Sequence, residues 1–377
     1  MLSIGDRQAE VQSVPLGDNA LMRVLTLQDT YDLLDMPMTL DALESAYRDL
    51  GEGNAANVGR ADLLSPGPLP GSFHGFKTMS GSLPRRGVSA LRLNSDIVTW
   101  PLVNGQARRV KVPRAPGNKW VGLVMLFSHD TGEPLAIFPD GFIQRMRVGG
   151  SGGLSVKYMA RPNASVMGLI GSGWQAGSAV LAACAVRPIK EVRVYSPDRD
   201  HRRAFAERMT EEAGVEVIPV DSPEAACRGA AVVSCTTNAL GHVAKADWIE
   251  PGMHLTCVRP HEYEPAAYAR CDRIVVNCRV AEPEHVIIGD ADIPELQAGW
   301  QHHGYERFDW STYPELGELV AGKAEGRRRV EDVTCFNNTI GLGFQFAAVG
   351  ASVLERAEKE GRGHQLPVDW FLQDVHP

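Results

Sequence analysis

The sequence lacks several features that mark specialised protein classes. No cysteine precedes Cys184, and the seven cysteines include no CxxC pair, so neither a disulfide framework nor a zinc site is expected. No run of about eighteen apolar residues suggests a membrane span, and the first residues lack the basic and apolar segments of a signal peptide. These absences predict a cytoplasmic protein without a bound metal.

An excess of positive charge is also missing. The 38 Lys and Arg residues are outnumbered by 46 Asp and Glu residues, for a net charge of -8, which argues against nucleic acid as the partner. Hydrophobic residues make up 44% of the chain and charged residues 22%, as in ordinary globular proteins. A chain of 377 residues exceeds the size of one hydrophobic core, so two domains are expected.

The first half of the chain predicts a helical region followed by a sheet. Residues 1–24 are expected to form a loose extension, and two amphipathic helices follow, the second capped by Thr39 and ended by Gly51. Short apolar strands separated by turns over residues 73–138 predict a largely antiparallel, mixed sheet. A helix over residues 143–162 contains four glycines, which indicates close packing or the approach of a ligand, since glycine destabilises helices.

The second half predicts an α/β fold with a doubly wound parallel sheet, because apolar strands alternate with helices from Val166 onward. The first of these strands ends in "VMGLIGSGWQAG", where Gly171, Gly173 and Ala176 fit the G-x-G-x-x-A turn of a Rossmann dinucleotide site. A diphosphate would lie on the backbone amides at the start of the following helix. The predicted contacts are Gly171, Ser172, Gly173, Trp174 and Gln175.

The end of the second parallel strand bears on the choice between NAD and NADP. In "VRVYSPDRDHRR", Ser196 takes the place of the acidic residue that binds the ribose of NAD, and Arg199 follows. These residues favour NADP, although Asp198 could reach the ribose through a one-residue bulge. Arg202 and Arg203 are expected on the solvated face of the next helix.

Taken in order, these segments resemble the ornithine cyclodeaminase/mu-crystallin family over roughly residues 25–355. The resemblance is carried by "TGEPLAIFPDGFIQRMRVGGSGGLSVKYMARPNASVMGLIGSGWQA", by "VVSCTT" before "WIEPGMHLTCV", by "LGELVAGKAEGR" and by "TCFNNTIGLGFQFAA". It implies a Rossmann domain (146–333) inserted in a second, α+β domain (1–145 and 334–377) that binds substrate and forms a homodimer. Thr236, Thr237 and Val258, in the second of these segments, are further expected cofactor contacts.

The resemblance also implies the chemistry. Family members transfer hydride at an α-carbon bearing nitrogen, as cyclodeaminases, alanine dehydrogenase and imine reductases do. Arg147 matches the arginine that begins the small-residue helix, and Arg60 matches an arginine before the first long strand; both imply binding of a substrate carboxylate, for which arginine is suited. The family's lysine corresponds either to Lys77 in "HGFKTMSG" or to the position of Arg92 in "GVSALRLNS".

One departure from the family concerns the aspartate that cyclodeaminases carry after the fifth strand. "CVRPHEYE" has no aspartate there, and His261 is the candidate for proton transfer. We therefore expect an NAD(P)-dependent imine reductase or amino-acid dehydrogenase that acts on a small carboxylate-bearing substrate. The alternatives are an ornithine or lysine cyclodeaminase and a non-catalytic, NADPH-binding protein like mu-crystallin.

A basic insertion between Trp100 and Trp120 has no assigned role. It contains no acidic residue, and its cations are Arg108, Arg109, Lys111, Arg114 and Lys119. It is expected either at the entrance of the substrate site or at a subunit interface.

Overall fold

The computed structural model describes residues 20–103, 105–279, 284–289 and 308–375. Its strands are β1 (Leu21–Val24), β2 (Ala56–Asn57), β3 (Ala61–Pro66), β4 (Phe73–Leu83), β5 (Val88–Thr99), β6 (Leu102–Val103), β7 (Gln106–Ala107), β8 (Val110–Val112), β9 (Val121–Ser128), β10 (Pro134–Pro139), β11 (Val166–Ile170), β12 (Glu191–Tyr195), β13 (Glu216–Pro219), β14 (Val232–Cys235), β15 (His254–Cys257), β16 (Arg273–Val276), β17 (Glu284–Ile287), β18 (Thr334–Asn337) and β19 (His364–Pro367). Its α-helices are α1 (Leu27–Leu33), α2 (Met36–Glu52), α3 (Gly141–Met159), α4 (Trp174–Val186), α5 (Arg199–Ala213), α6 (Pro223–Cys227), α7 (Pro265–Tyr268), α8 (Leu316–Val320) and α9 (Gly343–Lys359). Among these residues, no helix combines the length and apolarity that crossing a bilayer requires.

The larger sheet has ten strands, in the order β17-β3-β4-β5-β9-β10-β1-β19, with β2 beside β4 and β8 beside β5. Its pairs are antiparallel except β17 with β3 and β1 with β10, which are parallel. Along β5 the side chains alternate between buried and half-buried positions, so one face of the sheet points into the protein. The mixed, largely antiparallel sheet predicted for residues 73–138 is confirmed.

The smaller sheet has seven strands, in the order β13-β12-β11-β14-β15-β18-β16, and all its pairs are parallel. Strands β14, β15 and β18 are buried at every residue, as expected for a sheet covered on both faces. The strand order reverses direction at β11, which places a ligand crevice at the carboxyl ends of β11 and β14. The predicted Rossmann fold is confirmed.

The chain passes between the two sheets more than once near its C-terminal end. Strand β18, which begins at Thr334, lies inside the seven-stranded sheet between β15 and β16. Strand β17, which follows β16 in the chain, pairs with β3 of the larger sheet. Each sheet therefore contains strands from distant parts of the chain.

The N-terminal region also differs from the prediction. Helix α2 is capped by Asp35, whose carboxylate accepts a hydrogen bond from the Met38 amide at 2.8 Å, and Thr39 lies within the helix. The helix runs past Gly51 to Gly53, which has a φ of 84° and takes the left-handed conformation that favours glycine. Residues 21–24 are not a loose extension, because β1 pairs with β10 and β19.

The glycines of α3 serve close packing between helices. A Cβ atom at Gly149 would lie 2.5 Å from the Cβ of Ser178 on α4, and one at Gly150 would lie 2.7 Å from Leu43 on α2. Helix α3 therefore lies tightly between α2 and α4, the first helix of the Rossmann domain.

Candidate active site

The turn between β11 and α4 has the geometry of a dinucleotide site. Gly171 has a φ of 112°, and a Cβ there would lie 2.4 Å from the carbonyl oxygen of Thr236, so only glycine fits. A Cβ on Gly173 would meet no described atom within 4 Å. The N-cap residue of α4 is Gly173, which has no side chain to accept hydrogen bonds from the first amides of the helix. This helix end can therefore receive an anion.

A cavity of about 940 Å³ opens at this turn. It lies at the carboxyl ends of β11, β12 and β14, where the reversal of strand order places a ligand. Among the predicted cofactor residues, the following line it: Gly171, Ser172, Gly173, Trp174, Gln175, Ser196, Thr236 and Thr237. Arg199 is exposed and is not among the lining residues, whereas its chain neighbours Asp198 and His201 are.

Val258 does not border the large cavity either. It lines a smaller cavity together with Gln175, Thr236 and Val148 of α3. This smaller cavity separates α3 from the carboxyl ends of the parallel strands. Val148 follows Arg147 in α3, but Arg147 is not among the residues that line this smaller cavity.

Hydrogen bonds fix the end of β12. The Ser172 hydroxyl donates to Ser196 Oγ at 2.8 Å and lies 2.8 Å from His201 Nδ1. Asp198 lines the cavity while its carboxylate accepts from the His201 amide at 2.9 Å and caps α5. Arg202 is buried rather than solvated, because it donates to the Ser196 carbonyl at 2.8 Å and pairs with Asp221 at 2.8 Å.

A second group of functional side chains lies on the buried face of the larger sheet. In register, Lys77 on β4 stands between Asp62 on β3 and Asn94 on β5. The next row on the same face contains Arg92, opposite Met79. Lys77 and Arg92 therefore occupy neighbouring strands and adjacent rows, and the fold brings both lysine candidates to one site.

Three ion pairs occupy this face. Arg60 pairs with Asp62 through its Nε at 2.7 Å and also through its terminal nitrogen. Arg92 pairs with Asp140, which ends the segment after β10, at 2.6 Å. Lys111 of the basic insertion pairs with Asp96 at 2.7 Å. The site is therefore rich in charge, and most of its cations are already neutralised.

Lys77 differs from these cations. Its side chain is only 4% exposed, and among the described residues no carboxylate lies within ion-pair distance of it. Burial lowers the pKa of Lys77 well below its usual value, and the positive charges of Arg109 and Arg60 lower it further. Gly75 leaves room for this side chain, since a Cβ there would lie 3.0 Å from Lys77 Cε. Such a lysine can exchange a proton nearer to neutral pH than an exposed one.

Arg147 is a second buried cation whose contacts within the described chain are neutral. Its guanidinium donates to Gln345 Oε1 at 3.0 Å and lies 5.0 Å from the centre of the Phe346 ring. Its Nε has no hydrogen-bond partner among the described residues. Burial lowers the pKa of Arg147, and the nearby Arg92 lowers it further, but a guanidinium remains a cation at neutral pH. This arrangement suits the binding of an anion.

Gln345 holds Arg147 through a buried network. Its amide nitrogen donates to the Tyr47 hydroxyl at 2.6 Å and to Ser151 Oγ at 2.8 Å. Tyr47 in turn donates to Asn277 Oδ1 at 2.5 Å. Four elements (α2, α3, α9 and the end of β16) thus set the orientation of one guanidinium.

His261 lies elsewhere. It is buried in a short 3-10 turn after β15, where its Nε2 lies 3.0 Å from the carbonyl oxygen of Ala239. It is not among the residues that line the dinucleotide cavity. The structure therefore gives the candidate proton donor His261 a place in the loop packing and does not bring it to the Lys77 cluster.

Its neighbour Glu262 supports the cofactor loops. The Glu262 carboxylate accepts hydrogen bonds from the backbone amides of Thr237 at 2.5 Å, Val258 at 2.9 Å and Arg259 at 3.0 Å. Burial raises its pKa, and these amides oppose that effect. The carboxylate ties together the loops that follow β14 and β15.

Several of these residues are not predicted from the sequence: Asp62, Asn94, Asp96, Asp140 and Gln345. One signal was present, because Arg92, Asn94 and Asp96 stand at every second position of a strand-like run. Alternation of this kind places them on one face. Asp140 and Gln345 reach the site only through tertiary contacts.

The fold and the site together define a dinucleotide-binding enzyme with a Rossmann domain and a separate sheet that bears buried cations. The chain belongs to the ornithine cyclodeaminase/mu-crystallin family, whose sequence model matches residues 92–361. This confirms the family that the sequence motifs predict.

Relatives within the family include enzymes of known activity. The alanine dehydrogenase of Archaeoglobus fulgidus is 30% identical over 360 residues, which cover 91% of this chain and 97% of the relative. The Delta(1)-pyrroline-2-carboxylate reductase of Bacillus cereus is 29% identical over 299 residues, which cover 76% of this chain and 87% of the relative. These relatives confirm the predicted class, a nicotinamide-dependent oxidoreductase that acts on carbon–nitrogen bonds.

A solved structure shares the fold. The Thermococcus litoralis Delta(1)-pyrroline-2-carboxylate reductase, in complex with NADH and L-proline, superposes with a TM-score of 0.75 at 24% identity. The match covers 92% of this chain and 100% of that one.

Proposed function

We propose that the protein catalyses reversible hydride transfer between a nicotinamide dinucleotide and the α-carbon of a small imino or amino acid. In the reductive direction an imino acid, NAD(P)H and a proton give the amino acid and NAD(P)+. The observation that carries this proposal is the placement of Arg147. This buried cation immediately precedes the residue of α3 that borders the same small cavity as Gln175 and Thr236.

The buried arginines have distinct roles in the proposal. Arg147 binds the substrate carboxylate, because its contacts in the described chain are neutral and Gln345 fixes its orientation. Arg60 and Arg92 are engaged by Asp62 and Asp140 and shape the electrostatic field of the site. The bound nicotinamide would donate or accept the hydride at its C4.

Lys77 moves the proton in this proposal. Imine reduction requires a proton on the substrate nitrogen, and a buried lysine with a lowered pKa can donate one near neutral pH. Arg92, the other candidate for the family's lysine position, cannot take this role because a guanidinium does not release its proton. Lys77 on the neighbouring strand would therefore replace the family lysine.

The residues that follow β12 favour NADP over NAD by a modest margin. Ser196 stands where an acidic residue would repel the 2′-phosphate of NADP, and it lines the cavity. Asp198 also lines the cavity, and its charge opposes this preference. The ratio of Kd values for NADPH and NADH measures the balance.

We also propose that the protein is a homodimer that uses the outer face of the larger sheet. On this face Val286, Leu63 and Phe76 lie in register across three strands. They are 47%, 48% and 37% exposed, and a contiguous apolar row of this kind is typical of an interface. Sedimentation of the wild-type protein beside Phe76→Glu tests this: the variant should be monomeric, and an unchanged mass would refute the proposed face.

The cysteines support the proposed cytoplasmic location. All seven have free thiols, and four of them are buried, as expected for a protein kept in a reducing compartment. Labelling of thiols in the protein unfolded without reductant should count seven reactive groups.

One assay series tests the proposed reaction. NADPH and NADH oxidation is followed with a panel of small keto acids plus ammonia or methylamine, and with a preformed cyclic imino acid. Turnover that consumes one dinucleotide per substrate supports the proposal. Release of ammonia from ornithine with catalytic amounts of NAD would instead indicate a cyclodeaminase. Tight NADPH binding without any turnover would indicate a binding protein.

A further inference from the structure

The basic insertion between the two tryptophans lies against the Rossmann domain of its own chain. Arg108 forms an antiparallel backbone bridge with Ala239, and the side chain of Asn238 donates to the Arg109 carbonyl at 3.2 Å. Asn238 and Ala239 belong to the loop that follows β14 and borders the dinucleotide cavity. A segment of the substrate-side sheet thus covers part of the cofactor site.

The same segment is anchored on the opposite side. Strand β8 pairs with β5 through Val112, Lys111 and Val110. The Lys111 ammonium donates to Asn94 Oδ1 at 2.8 Å and pairs with Asp96 at 2.7 Å. Because both ends of this short stretch are fixed, the position of Arg108 is determined by the fold rather than by solvent.

Arg108 lines the dinucleotide cavity together with the Gly171–Gly173 turn. Its Nε is buried and has no hydrogen-bond partner among the described residues. A buried donor without an acceptor is unfavourable, and a guanidinium facing a cavity matches the geometry of a phosphate. Neither Lys77, the proposed proton-transfer residue, nor Arg147, the proposed carboxylate ligand, lines this cavity.

We propose that Arg108 binds a phosphate group of the dinucleotide. This inference rests on the proposed function and adds a cofactor ligand supplied from outside the Rossmann domain. The phosphate is either the diphosphate, common to both dinucleotides, or the 2′-phosphate, present only in NADPH. Neither the glycine-rich turn nor the end of β12 indicates such a residue, because Arg108 is distant from both in sequence.

The test measures Kd for NADH and NADPH by fluorescence titration of the wild-type protein, Arg108→Ala and Arg108→Lys. Arg114→Ala is the matched control, since Arg114 is an exposed cation of the same insertion. Loss of a charge-assisted hydrogen bond should raise the Kd of Arg108→Ala by about tenfold. Arg108→Lys should restore part of the affinity, and Arg114→Ala should bind as the wild type does. Circular dichroism of each variant shows that it is folded.

Each outcome has a defined meaning. Equal weakening of NADH and NADPH assigns Arg108 to the diphosphate, and weakening of NADPH alone assigns it to the 2′-phosphate. Unchanged Kd values for both dinucleotides in a folded Arg108→Ala would overturn the inference, with or without a rise in the KM for the imino acid. Absence of dinucleotide binding by the wild type would instead refute the proposed function, so the two failures can be told apart.

Discussion

The cofactor cavity and the substrate cluster are built to hold negative charge by different means. In the cavity, the main elements are a glycine turn and the amides that begin α4, so backbone groups contribute most of the attraction. In the cluster, the positive charges are side chains on β4, β5, β8, α3 and the residue before β3, and most of them are paired with carboxylates. A site of backbone amides tolerates many side-chain changes, whereas a site of balanced side-chain charges does not.

The strongest test of this difference is Arg147→Leu. Because Arg147 is the buried cation proposed to bind the carboxylate, its loss should lower kcat/KM by about a thousandfold, the cost of removing one partner of a buried charge pair. The Kd for NADH should stay within about twofold of the wild type if backbone groups hold the cofactor. Lys157→Ala, an exposed change on the same helix, serves as the control. Unchanged kinetics in Arg147→Leu would remove Arg147 from the site.

The next largest effect is expected for Lys77→Met, with a fall in kcat of about a hundredfold, the usual contribution of general acid catalysis. In the wild type, reduction requires the protonated amine, so its rate should fall as the pH rises through the lowered pKa of Lys77, and the rate of oxidation should rise over the same range. Lys77→Arg keeps the charge but should lose this pH-dependent limb. A pH profile that is the same in all three proteins would show that another group transfers the proton.

A smaller effect should separate the two glycines of the cofactor turn. Gly173→Ala should raise the Kd for NADH by about tenfold, because the added methyl group occupies the place of the diphosphate. It should leave Tm unchanged, since no described atom lies within 4 Å of the new Cβ. Gly171→Ala should lower Tm, because its Cβ would collide with the Thr236 carbonyl and its φ is 112°. Equal Tm values for the two variants would contradict this account.

The smallest effect concerns Gln345, a positioning residue that acts through Arg147. Gln345→Leu removes the hydrogen bond at 3.0 Å and should raise the KM of the imino acid by about fivefold. The kcat at saturation and the Kd for NADH should change little. A parallel fall of kcat and NADH affinity would point to general loosening of the core instead of a loss of carboxylate orientation.

The sequence predicted the cofactor half of the site because its signals are local. The turn, the strand before it and the helix after it occupy twelve consecutive residues, Val166 to Gly177. Eight of the residues predicted to contact the cofactor line one cavity, and five of them belong to this stretch. Arg199 was placed by sequence spacing alone, and the spacing did not show that α5 begins at this residue and directs it to solvent.

The substrate half depends on pairings between distant segments. The sequence offers Lys77 and Arg92 as alternatives, but the register of β4 and β5 places both on one face. Only the contact with Asp140 shows that Arg92 is engaged. His261 was chosen for its chemistry, and the tertiary fold buries it in a loop. The pairing of β17 with β3 has no local signal in the sequence.

Helix α3 has one further consequence for the reaction. Arg147 lies on this helix two residues before Gly149, whose missing side chain lets α3 approach Ser178 of α4. Hydride moves only between carbons held about 3–3.5 Å apart. Helix α3 carries Arg147, the proposed ligand of the substrate carboxylate, and α4 begins at the proposed dinucleotide site. The absence of a side chain at position 149 therefore helps to set the separation of α3 and α4, on which the proposed geometry for hydride transfer depends.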